Sequence, residues 1–182
     1  MVASPALLVI SIRIKLDRDG PVIYTGRRVG LDGREFRMYK FRTLVPNADK
    51  VGGPNTPDDD PRLTRTGRWL RRYKLDELPQ LFNVLKGEMS FVGPRPQVPS
   101  EVAGYTQEER ELLKVRPGIT DWASLKFSNE GEILKGHEDP DRAYAELIRP
   151  EKMRLGLEYV RRGTIRDDLD ILVKTALLPF RK

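Results

Sequence analysis

The stretch from Lys74 to Gly87, KLDELPQLFNVLKG, constrains the fold more than any other part of the chain. Pro79 has no N–H to give, so a helix here can hold it only in the first turn. Leu78, Leu81, Phe82 and Leu85 recur at i, i+3, i+4 and i+7, which is one face of an α-helix. Gly87 supplies the stop. The start therefore falls at Asp76 or Glu77, with Asp76 the natural N-cap. At an N-cap, unpaired backbone N–H groups and the helix dipole favour negative charge. That keeps a carboxylate ionised and draws phosphate to the same place. Taken alone, the acid pair is an ordinary cap.

A length of 182 residues suits one domain with a real core. The formal net charge of +6 points to anionic partners: nucleic acid, anionic lipid or a phosphorylated substrate. There is no cysteine, so disulfides and thiolate metal sites are excluded, and a single histidine, His137, excludes a multi-histidine zinc site.

The segment Met1–Ile14 is strongly apolar but only about half the ~20 residues that a spanning helix needs. It lacks the basic start of a signal peptide. Residues 6–10 are apolar all round, and Arg13 and Lys15 close the run as cations do at a membrane–water interface. This predicts a membrane-inserted segment whose first half is missing, against the alternative of an N-terminal core helix.

Further on, Leu31-Asp32-Gly33-Arg34 signals a hairpin turn, and residues 35–42 alternate, so a hairpin carries Lys40, Arg42 and Thr43 to its end. Residues 46–61 hold four prolines and Asp58-Asp59-Asp60, and a loop this long predicts a mobile flap. Thr66 is expected to cap a cationic helix running to about Leu75. Residues 89–92 read as a short strand, and 121–134 as irregular or extended. Capping signals at Thr106 and Asp139-Pro140 open later helices, Pro150 starts another whose Met153, Leu157 and Val160 face inward, and Gly163-Thr164 breaks it. The fold class expected is α+β, mostly helical: a compact cytosolic domain with a short β-hairpin and an N-terminal membrane helix. The expected division is residues 1–15 for the membrane helix and 16–182 for the catalytic domain.

Four blocks, taken together, carry a resemblance. They are Lys40-Phe41-Arg42-Thr43, residues 76–87, Ser90-Phe91-Val92-Gly93-Pro94-Arg95-Pro96, and Arg116-Pro117-Gly118-Ile119-Thr120. In order and spacing they resemble the bacterial sugar transferases, the monotopic polyprenyl-phosphate phosphoglycosyl transferases. The resemblance implies transfer of a sugar-1-phosphate from a UDP-sugar to polyprenyl (undecaprenyl) phosphate, with release of UMP. Such a step opens bacterial surface-glycan assembly at the cytoplasmic face of the inner membrane. It also implies a re-entrant helix broken at Ser4-Pro5, within one leaflet of the inner-membrane lipid. In the family the first acid of the pair forms a covalent phosphosugar intermediate, a role that maps to Asp76. Glu77 would help place Mg²⁺ or manage the acceptor's proton, and Asp76 and Glu77 together are the candidate metal ligands. Phosphoryl transfer needs such charge neutralisation and positioning.

Arg95, framed by Pro94 and Pro96, is the first choice to clamp phosphate, because two fixed φ angles hold a guanidinium with little entropy to lose. Arg42, Lys40 and Arg116 are second choices. Asp168 matches a family acid in the last helix; it either assists at the site or simply favours the helix dipole. Two other readings compete with the enzyme. A nucleic-acid-binding module would explain the charge but gives no role to Asp76-Glu77. An inactive membrane-surface scaffold differs from the enzyme only in turnover.

Overall fold

A computed structural model describes residues 3–17, 20–53 and 55–178. Helix α1 (Ala3–Asp17) leads into an antiparallel hairpin of β1 (Ile23–Val29) and β2 (Glu35–Phe41), with Tyr24 opposite Lys40 and Arg28 opposite Phe36. The turn between them is a tight one in which Asp32 and Gly33 take positive φ, as the Asp-Gly signal requires. Helix α2 (Arg65–Arg72) and α3 (Gln80–Leu85) follow, then β3 (Ser90–Val92), α4 (Pro99–Ala103), β4 (Gly118–Thr120), α5 (Trp122–Lys126) and α6 (Glu130–Ile133). Helices α7 (Pro140–Leu147), α8 (Arg149–Arg162) and α9 (Ile165–Leu177) complete the chain. Helix outweighs strand, in agreement with the expected mixed, mostly helical class.

Strands β3 and β4 run parallel, a pairing the sequence did not announce. It depends on glycine: a Cβ on Gly118 would lie 2.2 Å from the Gly93 nitrogen, and Gly93 itself has φ +153. This contact sets the Pro94-Arg95-Pro96 segment directly against the Gly118–Thr120 strand, with the Gly118 amide donating to the Pro94 carbonyl at 3.0 Å.

Among the described residues, three apolar clusters hold the fold. One joins Val29, Val102, Tyr105 and Leu112 to Met153 and Leu157 of α8. A second joins Ile10 and Ile14 of α1 to Phe41 and Leu70. The third packs Leu134, Ala143, Tyr144 and Ile148. The second cluster means that α1 is not isolated from the domain: one side packs on β2 and α2, while Leu8, Val9, Ile12 and Leu16 stay exposed. The helix continues past residue 15, and the Asp17 carboxylate accepts from the Thr66 amide at 2.7 Å. Pro5 lies in its first turn; the expected break at Ser4-Pro5 falls at the edge of the described residues. No helix among the described residues is long and apolar enough to cross a membrane.

Several local expectations change. The cap of α2 is Thr64, not Thr66, its hydroxyl accepting from the Gly67 amide at 2.9 Å. Residues 121–134 form α5 and α6 rather than an extended segment, because Asp121 caps α5 by accepting from the Ser124 amide. The 46–61 loop is tied down: Arg62 pairs with Asp60 and donates to the Ala48 and Gly53 carbonyls, and Asn55 donates to Asp141.

Candidate active site

The acid pair does not cap α3. Lys74 takes a left-handed conformation (φ 56), and Leu75–Glu77 form a 3₁₀ turn; Leu78 and Pro79 are helical, and Pro79 occupies the N-cap of α3. Proline at that place costs no hydrogen bond, since the first N–H groups of a helix are unpaired anyway. Asp76 is therefore one turn earlier than expected, and it is buried at 8% exposure.

The orientation of α3 is the second surprise. Gln80 and Asn83 are completely buried, while Phe82 and Leu85 are 54% and 82% exposed. The polar residues 76, 80 and 83 share the i, i+4, i+7 spacing of the apolar stripe, and it is this polar face that turns inwards against β2. Asn83 explains the direction. Its amide oxygen accepts from the Tyr39 amide at 3.0 Å, and its nitrogen donates to the Arg37 carbonyl and the Glu88 carboxylate. One side chain thus completes the edge of β2 and fixes the register of α3 on the hairpin.

Glu77 is the hub of the site. Lys40 Nζ donates to Oε1 at 2.9 Å. Arg95 donates through Nη1 to Oε2 at 2.8 Å and through Nη2 to Oε1 at 2.5 Å. Arg95 also donates to the Ile119 carbonyl on β4. Pro94 and Pro96 are buried on either side, so the fork is held rigidly. Arg95, Lys40 and Glu77 thus form one half-buried network linking β2, the 3₁₀ turn, the Pro-Arg-Pro segment and β4.

The two carboxyls differ electrostatically. Burial pushes Glu77 up, but Arg95 and Lys40 outweigh it and hold this carboxyl well below the usual range. Asp76 is pushed up, first by burial and then by the Glu77 charge, with Lys40, Arg71 and Lys74 pulling the other way. Asp76 lacks the expected helix N-terminus and loses solvent, and the loss of solvent gives the upward direction. Among the described residues its carboxyl makes no hydrogen bond, so its oxygens remain available to a ligand.

Other candidates lie elsewhere. Arg42 is buried and donates to the Ile14 carbonyl at 3.3 Å, tying α1 to the hairpin. Arg116 is exposed and donates to the Gly87 carbonyl, at the end of α3. Asp168 accepts from the Tyr159 hydroxyl at 2.7 Å, joining α9 to α8. The structure therefore brings together Asp76, Glu77, Lys40, Arg95, Pro94 and Pro96, and gives Arg42, Arg116 and Asp168 other partners. As a test of a cation site, Asp76 has the free oxygens that Mg²⁺ requires, whereas both oxygens of Glu77 are already occupied by Arg95 and Lys40. Among the described residues no cluster of three or more acidic or histidine ligands exists, so the remaining positions would fall to phosphate and water.

The comparisons with known proteins fit this arrangement. The chain is 40% identical over 179 residues to undecaprenyl-phosphate glucose phosphotransferase of Komagataeibacter xylinus, covering 94% of this chain and 32% of that protein. It is 43% identical over 125 residues to UDP-N-acetylgalactosamine-undecaprenyl-phosphate N-acetylgalactosaminephosphotransferase of Aeromonas hydrophila, covering 67% and 30%. It is 37% identical over 198 residues to undecaprenyl-phosphate galactose phosphotransferase of Salmonella typhimurium, covering 100% and 38%. The chain spans about a third of the length of these relatives. The family profile described as bacterial sugar transferase matches residues 1–182, and the chain belongs to that family.

Proposed function

We propose that this chain transfers a sugar-1-phosphate from a UDP-sugar to undecaprenyl phosphate and releases UMP. The observation that carries this reading is the division of labour between adjacent carboxyls: Glu77 is saturated by Arg95 and Lys40, while Asp76 beside it is buried with its oxygens uncommitted. The names of the relatives supply the acceptor and the class of donor. In this reading an Asp76 oxygen attacks the β-phosphorus of the donor. The new P–O bond forms as the bond from that phosphorus to the UMP oxygen breaks. A phosphate oxygen of the lipid then attacks the same phosphorus, and the Asp76 carboxylate leaves. Both steps conserve charge without a proton transfer, so Glu77 is not needed as a base. Its role is to hold Arg95 and Lys40 at the edge of the site, where they face the transferred phosphate. Mg²⁺, held by Asp76 with phosphate oxygens, would neutralise the approaching anions.

The exposed apolar side chains of α1, with Phe82, Leu85, Phe91 and the outer face of α9, support a position on the cytoplasmic surface of the inner membrane. The relatives are named for glucose, N-acetylgalactosamine and galactose, so the sugar is left to experiment. The test is UMP release across a panel of UDP-sugars with undecaprenyl phosphate and Mg²⁺, followed by intact-protein mass spectrometry without the lipid. One sugar-phosphate adduct mapping to Asp76 is expected. Turnover with the adduct on another residue would overturn the assignment, and absence of UMP release with every sugar would overturn the activity.

A further inference from the structure

Gln80 has no exposed surface, and neither its amide nitrogen nor its amide oxygen has a hydrogen-bond partner among the described residues. A buried amide with no protein partner opposes folding, and native proteins tolerate few of them. An apolar side chain of the same length would fit such a place better, so this residue calls for a reason other than packing.

Its position supplies one. Leu78 and Pro79 keep helical dihedrals between the 3₁₀ turn and α3, and both Asp76 and Gln80 are buried, so Gln80 follows Asp76 closely on the inward side. Asn83, the next residue on that side, is fully employed in bonding β2. Asp76 is the other polar group on this face without a hydrogen bond among the described residues. The charged groups acting on Asp76 are Lys40 from β2, Arg71 from α2, and Lys74 and Glu77 from its own turn. Gln80 differs from all of them in being a neutral donor. Without a charge of its own, an amide N–H can orient one oxygen and leave the other nucleophilic.

We propose that Gln80 is a positioning residue: its Nε2–H group turns onto one Asp76 oxygen when the donor is in place and aims the other at phosphorus. The inference rests on Asp76 being the nucleophile. Gln80 gives up no proton and forms no covalent bond. Its unpaired state before the donor binds is resolved in the reacting complex, so the interaction stabilises the transition state more than the resting enzyme.

The test is Gln80→Met in the full chain, in detergent, with the best donor from the UDP-sugar panel. Methionine keeps the length and removes both polar atoms. The melting temperature should equal or exceed that of the wild type. The single-turnover rate of phosphosugar adduct formation should fall by roughly 10- to 100-fold, with KM for the donor changed by less than about twofold. Gln80→Glu, which keeps the shape but replaces the donor with a carboxylate, should fall at least as far. A lowered melting temperature in Gln80→Met would show that the amide is structural, satisfied by an enclosed water, and would overturn the proposal. So would wild-type adduct kinetics in both variants. If the wild type forms no adduct on Asp76, the nucleophile reading fails and this inference falls with it. If the wild type forms it and the variants form it equally fast, only the role of Gln80 fails.

Discussion

Helices α3 and α8 solve opposite problems. In α8, Met153, Gly156 and Leu157 face the core, while Arg154, Glu158 and Arg161 face water and pair with neighbouring charges. That is the ordinary arrangement, selected by the free energy of apolar burial. In α3, Gln80 and Asn83 face inwards, and Phe82 and Leu85 face out. Its inner side is shaped by the hairpin and the acid pair, and its outer side is suited to an apolar medium. The contrast teaches that the direction of an apolar stripe reports what lies on each side of a helix, not simply where the core is. It also predicts a separation of effects: substitutions at Asp76 and Gln80 should remove function at little cost in stability, and those on the inner side of α8 the reverse.

The largest expected effect is that of Asp76→Asn. The side chain keeps its size, and no cap or hydrogen bond among the described residues is lost, so the melting temperature should stay near the wild-type value. Turnover should fall by about 10³-fold or more, the scale on which a covalent nucleophile contributes. Substantial UMP release by this variant would break the comparison at its centre.

Leu157→Ala tests the other arm. Leu157 packs in the cluster with Leu112, Val102 and Met153, and its truncation should destabilise the protein by about 2–5 kcal/mol in chemical denaturation. The kcat of the fraction that remains folded should be unchanged. A large loss of kcat at full stability would mean that α8 reaches the site.

Arg95→Lys lies between these extremes. Lysine keeps the charge but loses the two-pronged contact with Glu77, so kcat/KM should fall by about 10- to 100-fold. A pH series sharpens this. Burial acts to raise the Glu77 carboxyl, but Arg95 and Lys40 lower it below its unfolded value. Its contribution to stability is therefore fully present above its unfolded pKa, near pH ~4.3, and is lost as pH falls from there towards the lowered folded value. With lysine the depression shrinks, so the loss of stability on acidification should be shallower than in the wild type. Identical acid limbs would show that Lys40 alone holds Glu77. Asp76, raised by burial, contributes in the opposite sense in both proteins.

How much of this was legible in the sequence follows from the same two helices. The hairpin was readable because Asp32-Gly33 demands positive φ between alternating strands. The α8 boundaries followed from Pro150 and Gly163, and its inner residues from their spacing. In the site, the residue types at 76, 77 and 95 suggested the chemistry, and the two prolines framing Arg95 are buried. The start of α3 was misread because Pro79 suits the N-cap as well as the first turn, and nothing local separates the two. Gln80 and Asn83 were missed because their spacing from Asp76 was outshone by the leucine stripe. Only tertiary contact with Tyr39 and Arg37 reveals which stripe turns inwards. The parallel β3–β4 pair was invisible because it joins short segments through two glycines far apart in sequence.

The smallest effect on the fold, and the sharpest test of the outer face of α3, is the double substitution Phe82→Ser, Leu85→Ser. Both side chains project away from the core, so equilibrium stability in detergent should change by no more than about 0.5 kcal/mol for each. If that face lies against lipid, each exposed apolar side chain contributes to membrane affinity in proportion to the area it buries, about 25 cal/mol per Å². Cosedimentation with vesicles of anionic and zwitterionic phospholipid should then weaken by about tenfold or more, while UMP release in detergent with a water-soluble short-chain acceptor stays near the wild-type rate. The outcome that sinks this reading is unchanged vesicle binding with unchanged stability, since the exposed face of α3 would then be neither core nor membrane contact. A fall in stability of several kcal/mol would sink it differently, by showing that Phe82 and Leu85 pack as Met153 and Leu157 do in α8, and the contrast between the two helices would disappear.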